Sequence, residues 1–299
     1  MEVQQLRHFL AAVRFGNIAR AAEETYISQS GLSRSIKSLE TRLGVNLLIR
    51  GPHGVEPTAF GLALVDRAQI ILNEVARAQT LIREINAGDV GEVTLGATHN
   101  YAFRVLPQVI AAFNARRPGV RINVTTSSFP DLVERLKLGQ LDFALVLLGP
   151  LERGSELSVE ELGESEARVV ARAGHPLVES VRVSNAELAA ARWAMLDSQS
   201  LQQKFEAFFD ARQEATPRQV LKTNSIVLLK KLVLGMDALT VLPADMVEAE
   251  LASGEFKVIQ SETPADHSRA GLIFRGRLSI HANEVVNLIR ANYREAQAL

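Results

Sequence analysis

The chain has 299 residues, 47% of them hydrophobic and 22% charged, which is enough for about two domains with a small extra module and too apolar for a disordered protein. It contains no cysteine, so disulfides, zinc fingers, thiolate metal sites and cysteine nucleophiles are excluded and a reducing compartment is favoured. Its first residues lack the apolar run of a signal peptide and no later stretch reaches membrane-spanning length, so a cytoplasmic protein with no membrane partner is expected.

Charge is uneven along the chain. Residues 1–60 carry seven Lys or Arg against five acids, residues 61–88 balance at three each, and the remainder holds 23 basic and 26 acidic side chains. Only the N-terminal segment is therefore a candidate polyanion binder.

Within that segment Leu6, Phe9, Leu10 and Val13 recur on one face of a first helix, which Gly16 ends. Asn17 is placed to cap a second helix whose small face is Ile18, Ala21 and Ala22. After the turn Thr25-Tyr26-Ile27, Ser28 caps a third helix, with Leu32, Ile36, Leu39 and Leu43 as the predicted buried stripe and Gly44 as its stop. Gln29, Ser30, Ser33, Arg34 and Lys37 then face outward. Arg can bond guanine O6 and N7 together, and Gln can do the same for adenine N6 and N7; Ser30, Ser33 and Lys37 suit phosphates or adaptable polar contacts. Leu47 to Ile49, the turn Gly51-Pro52-His53-Gly54 and Val55 suggest a hairpin wing, with Arg50 placed to reach the DNA backbone. Periodicity alone does not separate this helix-turn-helix from an ordinary three-helix module with solvated polar faces.

Thr58 is predicted to cap a long helix running to about Ala87, with Gly88 as its stop. Leu64, Ala68, Ile71, Val75, Ala78, Ile82 and Ile85 alternate spacings of four and three along it, a heptad seam that calls for a partner helix and hence a dimer.

From Gly91 the pattern is α/β. Strands are predicted near Val93 to Ala97, Arg121 to Thr126, Leu141 to Leu148, Ala167 to Arg172, Trp193 to Leu196, Arg218 to Lys222 and Leu239 to Leu242, with helices between them, and Ala270 to Phe274 with a final amphipathic helix complete the chain. Hydroxyl and amide side chains gather where strands end: Thr98, His99 and Asn100; Ser127 and Ser128; Ser198, Gln199 and Ser200; Thr223 and Asn224. These suit a small anion or polar organic molecule, although each also suits a helix cap. No phosphate-binding loop, dinucleotide fingerprint or nucleophile elbow is present. The six histidines lack metal-ligand spacing, and Glu160-Glu161 and Glu164 with Glu166 look like solvated surface. No catalytic residues, metal or fixed cofactor are expected, only a small-molecule effector.

The run FLAAVRFGNIARAAEETYISQSGLSRSIKSLETRLGVNLLIRGPHGVEPTAFG closely resembles the winged helix-turn-helix of LysR-type transcriptional regulators. The resemblance rests on Ala21-Ala22, Ser28-Gln29, Ser33-Arg34, Leu39-Glu40, Leu43-Gly44, Leu47 with Arg50, and Thr58 with Gly61. Asn17 and Leu48 depart from the more usual Ser and Phe, but Asn still caps and Leu still packs. It extends more loosely through Leu106-Pro107, Gly139, Leu141-Asp142, His175-Pro176 and Leu242-Pro243; Gly235-Met236-Asp237-Ala238 departs from the family's Gly-Leu-Gly turn. The resemblance implies a winged helix-turn-helix over 1–58, a linker and dimerisation helix over 59–88, and a two-lobed, periplasmic-binding-protein-like effector domain. Its first lobe would comprise 91–161 with 268–299 and its second 162–267, the chain crossing near Glu161-Leu162 and returning near Asp266-His267. It further implies a sequence-specific regulator that binds double-stranded DNA as a homodimer or homotetramer, with RNA polymerase as a partner, Ser28 among the DNA contacts, and Thr98 with the residues around Ser128 and Ser198 as effector contacts. The alternative is a small-solute sensor whose N-terminal module makes protein contacts; steep salt dependence of DNA binding separates the two.

Overall fold

The computed structural model describes residues 1–299 other than 52–53, 88–89, 153–154, 198, 213, 215, 244–245, 262–265 and 298–299. Three helices open the chain: α1 (Val3–Phe15), α2 (Ile18–Glu24) and α3 (Gln29–Leu43). Gly16 and Gly44 end α1 and α3 in the left-handed conformation, at φ 59° and 73°. Asn17 Oδ1 accepts the Ala19 and Arg20 amides, and Ser28 Oγ accepts that of Gly31. Leu32, Ile36 and Leu39 are buried as expected, whereas Leu43, the last residue of α3, is exposed, because the module's core reaches only as far along this stripe as Leu39.

The wing is β1 (Leu48–Gly51) paired antiparallel with β2 (Gly54–Pro57); the expected turn residues Pro52 and His53 lie outside the described ones. Helix α4 (Ala59–Ala87) follows. Thr58 Oγ1 accepts the Gly61 amide at 3.0 Å and donates to the Asn46 carbonyl at 2.8 Å. A Cβ on Gly61 would collide with the Leu47 carbonyl oxygen, so glycine is required where α4 meets the start of the wing. The expected stop, Gly88, lies outside the described residues.

The C-terminal domain contains β3 (Gly91–Ala97), α5 (His99–Arg104), α6 (Leu106–Arg116), β4 (Val120–Thr126), α7 (Phe129–Lys137), β5 (Phe143–Leu147), β6 (Leu157–Arg172), α8 (Asn185–Ala190), β7 (Trp193–Leu196), α9 (Gln199–Asp210), β8 (Gln219–Thr223), α10 (Ile226–Leu234), β9 (Thr240–Pro243), α11 (Glu248–Ala252), β10 (Phe256–Val258), β11 (Asp266–Arg275) and α12 (Ile280–Gln297). Its main sheet runs β10-β6-β11-β5-β3-β4, with β9 also paired to β6, and β7 pairs parallel with β8. Strands β6 and β11 run antiparallel from Leu157 opposite Arg275 to Ala167 opposite Asp266, with a bulge at Ala270/Gly271. Leu157 and Ala270 belong to the first lobe's cores around α6, α7 and α12, while Val170 and Ala171 belong to the second lobe's cores around α8 to α10, so β6 extends from one lobe into the other.

Two features of this domain differ from expectation. Strand β6 begins ten residues before the expected Ala167, because its acidic first half lacks an apolar alternation. Its carboxylates are also paired rather than merely solvated: Arg290 holds Glu160 through two bonds of 2.8 and 2.6 Å, and Arg269 reaches Glu161 at 3.2 Å. The Arg290 bonds, with the charges of Arg290 and Arg294, hold the Glu160 carboxyl below its ordinary pKa against the opposing effect of burial. At the departing Gly235-to-Ala238 turn, Asp237 accepts from the Arg172 guanidinium, an ion pair that a glycine there could not make.

Candidate functional site

Two places gather the expected functional side chains. The first is the outer face of α3. With Leu32, Ile36 and Leu39 buried against α1 and α2, Gln29, Ser30, Arg34 and Lys37 are exposed and Ser33 is half-buried on the opposite side. Ser28 is exposed, and its hydroxyl both caps the helix and lies 3.2 Å from that of Ser30. Arg50 is exposed on β1, opposite Val55, so the wing adds a cation beside the helix-turn-helix. The exposed side chains here are polar, with Arg34, Lys37 and Arg50 positive, and an α-helix fits a major groove.

This face is held from behind by polar contacts that the sequence did not reveal. The Gln5 amide donates to Ser38 Oγ at 3.1 Å, and His8 Nδ1 lies 2.7 Å from Ser35 Oγ, both joining α1 to α3. Gln4 Nε2 lies 3.0 Å from His8 Nε2, an arrangement in which Gln4 donates and the neutral ring donates through Nδ1 to Ser35. Burial, and then the neighbouring Arg7 charge, lower the His8 pKa and keep that ring neutral. Pairs of polar residues 27 and 33 positions apart carry no local signal that could have announced them. Tyr26, in the turn before α3, takes a left-handed φ of 55° and is 94% exposed, a conformation a non-glycine residue holds only at some cost.

Glu40 and Thr58 from the resemblance have structural tasks. Glu40 Oε1 accepts the Leu47 and Leu48 amides at 2.8 and 3.1 Å, fastening the wing to α3.

The second place is the C-terminal edge of the strands. Thr98 directly follows β3 and Ser127 directly follows β4, and these neighbours are joined by the Ser127 amide bonding the Ala97 carbonyl at 3.2 Å. Thr98 Oγ1 accepts the Leu147 amide at 3.3 Å. The Ser127 hydroxyl bonds Asp131, the first cause of that carboxyl's lowered pKa, ahead of its bond to Arg135. Ser128 occupies the N-cap of α7 without a side-chain cap bond, and His99 is exposed. In the other lobe β7 and β8 end side by side at Leu196 and Thr223. Thr223 Oγ1 accepts the Ser225 amide at 3.1 Å, so its acceptor serves a local turn, and Asn224 is exposed. Ser198 lies outside the described residues, as do the side chains of Asn100, Gln199 and Ser200. The lobes touch where Lys230 of α10 lies 5.5 Å from the centre of the Phe103 ring of α5. Among the described residues no group of three acidic or histidine side chains could hold a metal ion.

The expected dimer seam divides in two. Ala68 is 0% exposed inside the core of its own winged module, with Leu64 and Ile71 packed against the same core. A side chain without accessible surface cannot touch a partner, so Ala68 is corrected from a dimer contact to a core residue. Val75 is half-buried and Ala78 exposed, while Ile82 and Ile85 are 60% and 67% exposed.

Comparison with known proteins covers the two regions that carry these places. Residues 3–62 match the family described as "Bacterial regulatory helix-turn-helix protein, lysR family", and residues 86–294 match "LysR substrate binding domain". The SDS degradation transcriptional activation protein of Pseudomonas sp. (strain ATCC 19151) is 30% identical over 87% of this chain and 84% of its own. The Hca operon transcriptional activator HcaR of Escherichia coli (strain K12) is 29% identical over 89% of each. In fold, the chain resembles ArgP from Mycobacterium tuberculosis with a TM-score of 0.74 at 18% identity, covering 97% of this chain and 96% of that one. It also resembles CbnR crystallised with its target DNA, with a TM-score of 0.67 at 22% identity, covering 97% and 99%. The helix-turn-helix match favours DNA over protein contacts for the N-terminal module and sets aside the solute-sensor alternative. The chain belongs to the LysR family of transcriptional regulators, which are not enzymes, and joins a DNA-binding winged helix-turn-helix to an effector-binding α/β domain.

Proposed function

We propose that α3 enters the major groove with Gln29 and Arg34 on base edges, while Ser28, Ser30, Ser33, Lys37 and the wing's Arg50 hold phosphates. The observation that carries this is the exposure of that polar face over a closed apolar stripe. The two recognition helices of a dimer are brought to successive half-sites by pairing of α4 through its distal half, Val75, Ala78, Ile82 and Ile85, with Leu64 and Ile71 at most flanking that contact. The exposure of Ile82 and Ile85 supports this assignment. Dimers combine into tetramers on the operator, act on RNA polymerase there, and work in the cytoplasm; among the described residues no helix is long and apolar enough to cross a membrane.

The effector is a small anion or polar organic molecule held between lobe 91–161 with 268–299 and lobe 162–267. Thr98, His99, Asn100, Ser127 and Ser128 would meet it from one side, and Ser198, Gln199, Ser200, Thr223 and Asn224 from the other. The adjacency of the β3 and β4 ends, and of the β7 and β8 ends, supports the two clusters. Its closure shifts DNA binding through unequal affinity for the open and closed arrangements.

Selection of the full-length protein on a randomised duplex library tests the DNA assignment. Enrichment of an inverted repeat, with affinity falling steeply as salt rises, is expected. Binding that is indifferent to salt and sequence would overturn it.

A further inference from the structure

Beyond the winged module, α4 lies against its own C-terminal domain along a polar strip. Asn73 Nδ2 donates to the Leu138 carbonyl at 2.6 Å. Arg77 Nη2 donates to the Leu141 carbonyl at 2.7 Å and to Asp142 Oδ1 at 3.1 Å. Farther along, Glu84, 3% exposed, accepts the Ile280 amide at 3.2 Å at the start of α12. Spacings of four and seven put the three side chains on one helix face.

Asp142 is engaged on two sides. Its Oδ2 accepts the Thr94 amide at 2.8 Å, and its own amide donates to the Thr94 carbonyl at 2.7 Å. It immediately precedes β5, whose residues Phe143 to Val146 are buried. At the other end of that strand the Leu147 amide reaches Thr98 Oγ1, and the Thr98 amide reaches the Leu145 carbonyl at 3.1 Å. One five-residue strand, roughly 16 Å long, therefore touches the linker helix at one end and the effector cleft at the other. A close-packed strand bonded along its length transmits a displacement rather than absorbing it.

We propose that Arg77 and Asp142 are positioning residues that couple the cleft to the linker helix. A shift at Thr98 moves β5, β5 moves Asp142, and Arg77 carries the change into the seating of α4. The Arg77 and Asp142 side chains are 23% and 18% exposed, so their ion pair is partly shielded from water. Neither residue belongs to the α3 face or to the strand-end clusters assigned above to DNA and effector. The effector assignment enters only in naming what displaces Thr98.

The test needs no effector. Amide hydrogen exchange across residues 74–86 is followed in the full-length protein, in Thr98→Val, in Asp142→Asn and in the double variant. Asp142→Asn should lower protection of this stretch about tenfold, and Thr98→Val by a smaller factor. In the double variant the Thr98→Val effect should vanish, since the relay is already broken. Amides of α1 and α3 should be unchanged throughout, which a general loss of structure would not leave so. Should Asp142→Asn fail to fold, Arg77→Gln takes its place in the cycle with the same expected non-additivity. Additive effects, or α4 exchange indifferent to Thr98→Val, overturn the proposal. A wrong effector assignment would show separately, as metabolites that leave the melting temperature unmoved while the cycle still couples.

Discussion

The two ends of α4 are attached to their neighbours by different physics. At the first, Ala68 lies in the core of the winged module, with Leu64 and Ile71 against it, and Gly61 touches the Leu47 carbonyl. At the second, Asn73, Arg77 and Glu84 reach backbone and carboxylate groups of the C-terminal domain through directional bonds. A packed apolar joint has one arrangement, whereas a hydrogen-bonded joint can exchange partners at modest cost. The difference teaches that the first end of α4 is packed into the winged module, while its second end is held by the polar contacts on which the proposed coupling depends.

The sharpest way to break this contrast is to place a charge at each end. Ala68→Glu should destabilise the winged module by about 3 kcal/mol or more, seen as a lowered melting transition, because the carboxylate enters a sealed core. Ile85→Glu, at an exposed position, should leave that transition within about 0.5 kcal/mol yet yield monomers in light scattering. An Ile85→Glu protein that stays dimeric would move the dimer contact elsewhere. Gly61→Ala should cost about 2 kcal/mol in thermal unfolding by forcing α4 off the wing. Arg34→Ala should weaken DNA binding by about 1–3 kcal/mol and relax preference at one operator position; uniform weakening across sequences would reassign Arg34 to phosphate.

The smallest expected effect concerns pH. The folded module lowers the His8 pKa below the ordinary value of about 6.5, so the unfolded chain binds the proton more readily. His8 therefore costs no stability above about pH 6.5, and stability drains away as pH falls from there through its lower folded pKa. His8→Gln should flatten that part of the melting profile of the winged module. A profile unchanged by the substitution would remove His8 from this account.

Much of the N-terminal module was legible because its signals are local. Gly16 and Gly44 stop helices, Asn17 and Ser28 cap them, and a spacing of three and four marks Leu32, Ile36 and Leu39. The same spacing misled at Ala68, since periodicity shows that a face is buried but not whether the chain itself or a second copy buries it. Strand β6 was half hidden because Glu160 and Glu161 are satisfied by Arg290 and Arg269, which lie 130 and 108 residues away. At the strand ends, the sequence singled out Thr98 and Ser127, but not that Ser127 and Thr223 would spend bonds on Asp131 and Ser225. The seating of α4 was illegible for the same reason of distance, because Leu138, Asp142 and Ile280 follow their partners by 65 to 196 residues.

The contact of Gly61 with the wing makes α4 a lever arm. Its 29 residues span roughly 43 Å at 1.5 Å per residue. Tilting the far end by about 10° swings the groove-reading surface through roughly 7 Å, about two base-pair steps of 3.4 Å. On the proposed coupling, an adjustment of about 2 Å at Arg77, pivoted seven residues away on Glu84, would give that tilt and a different footprint on the operator.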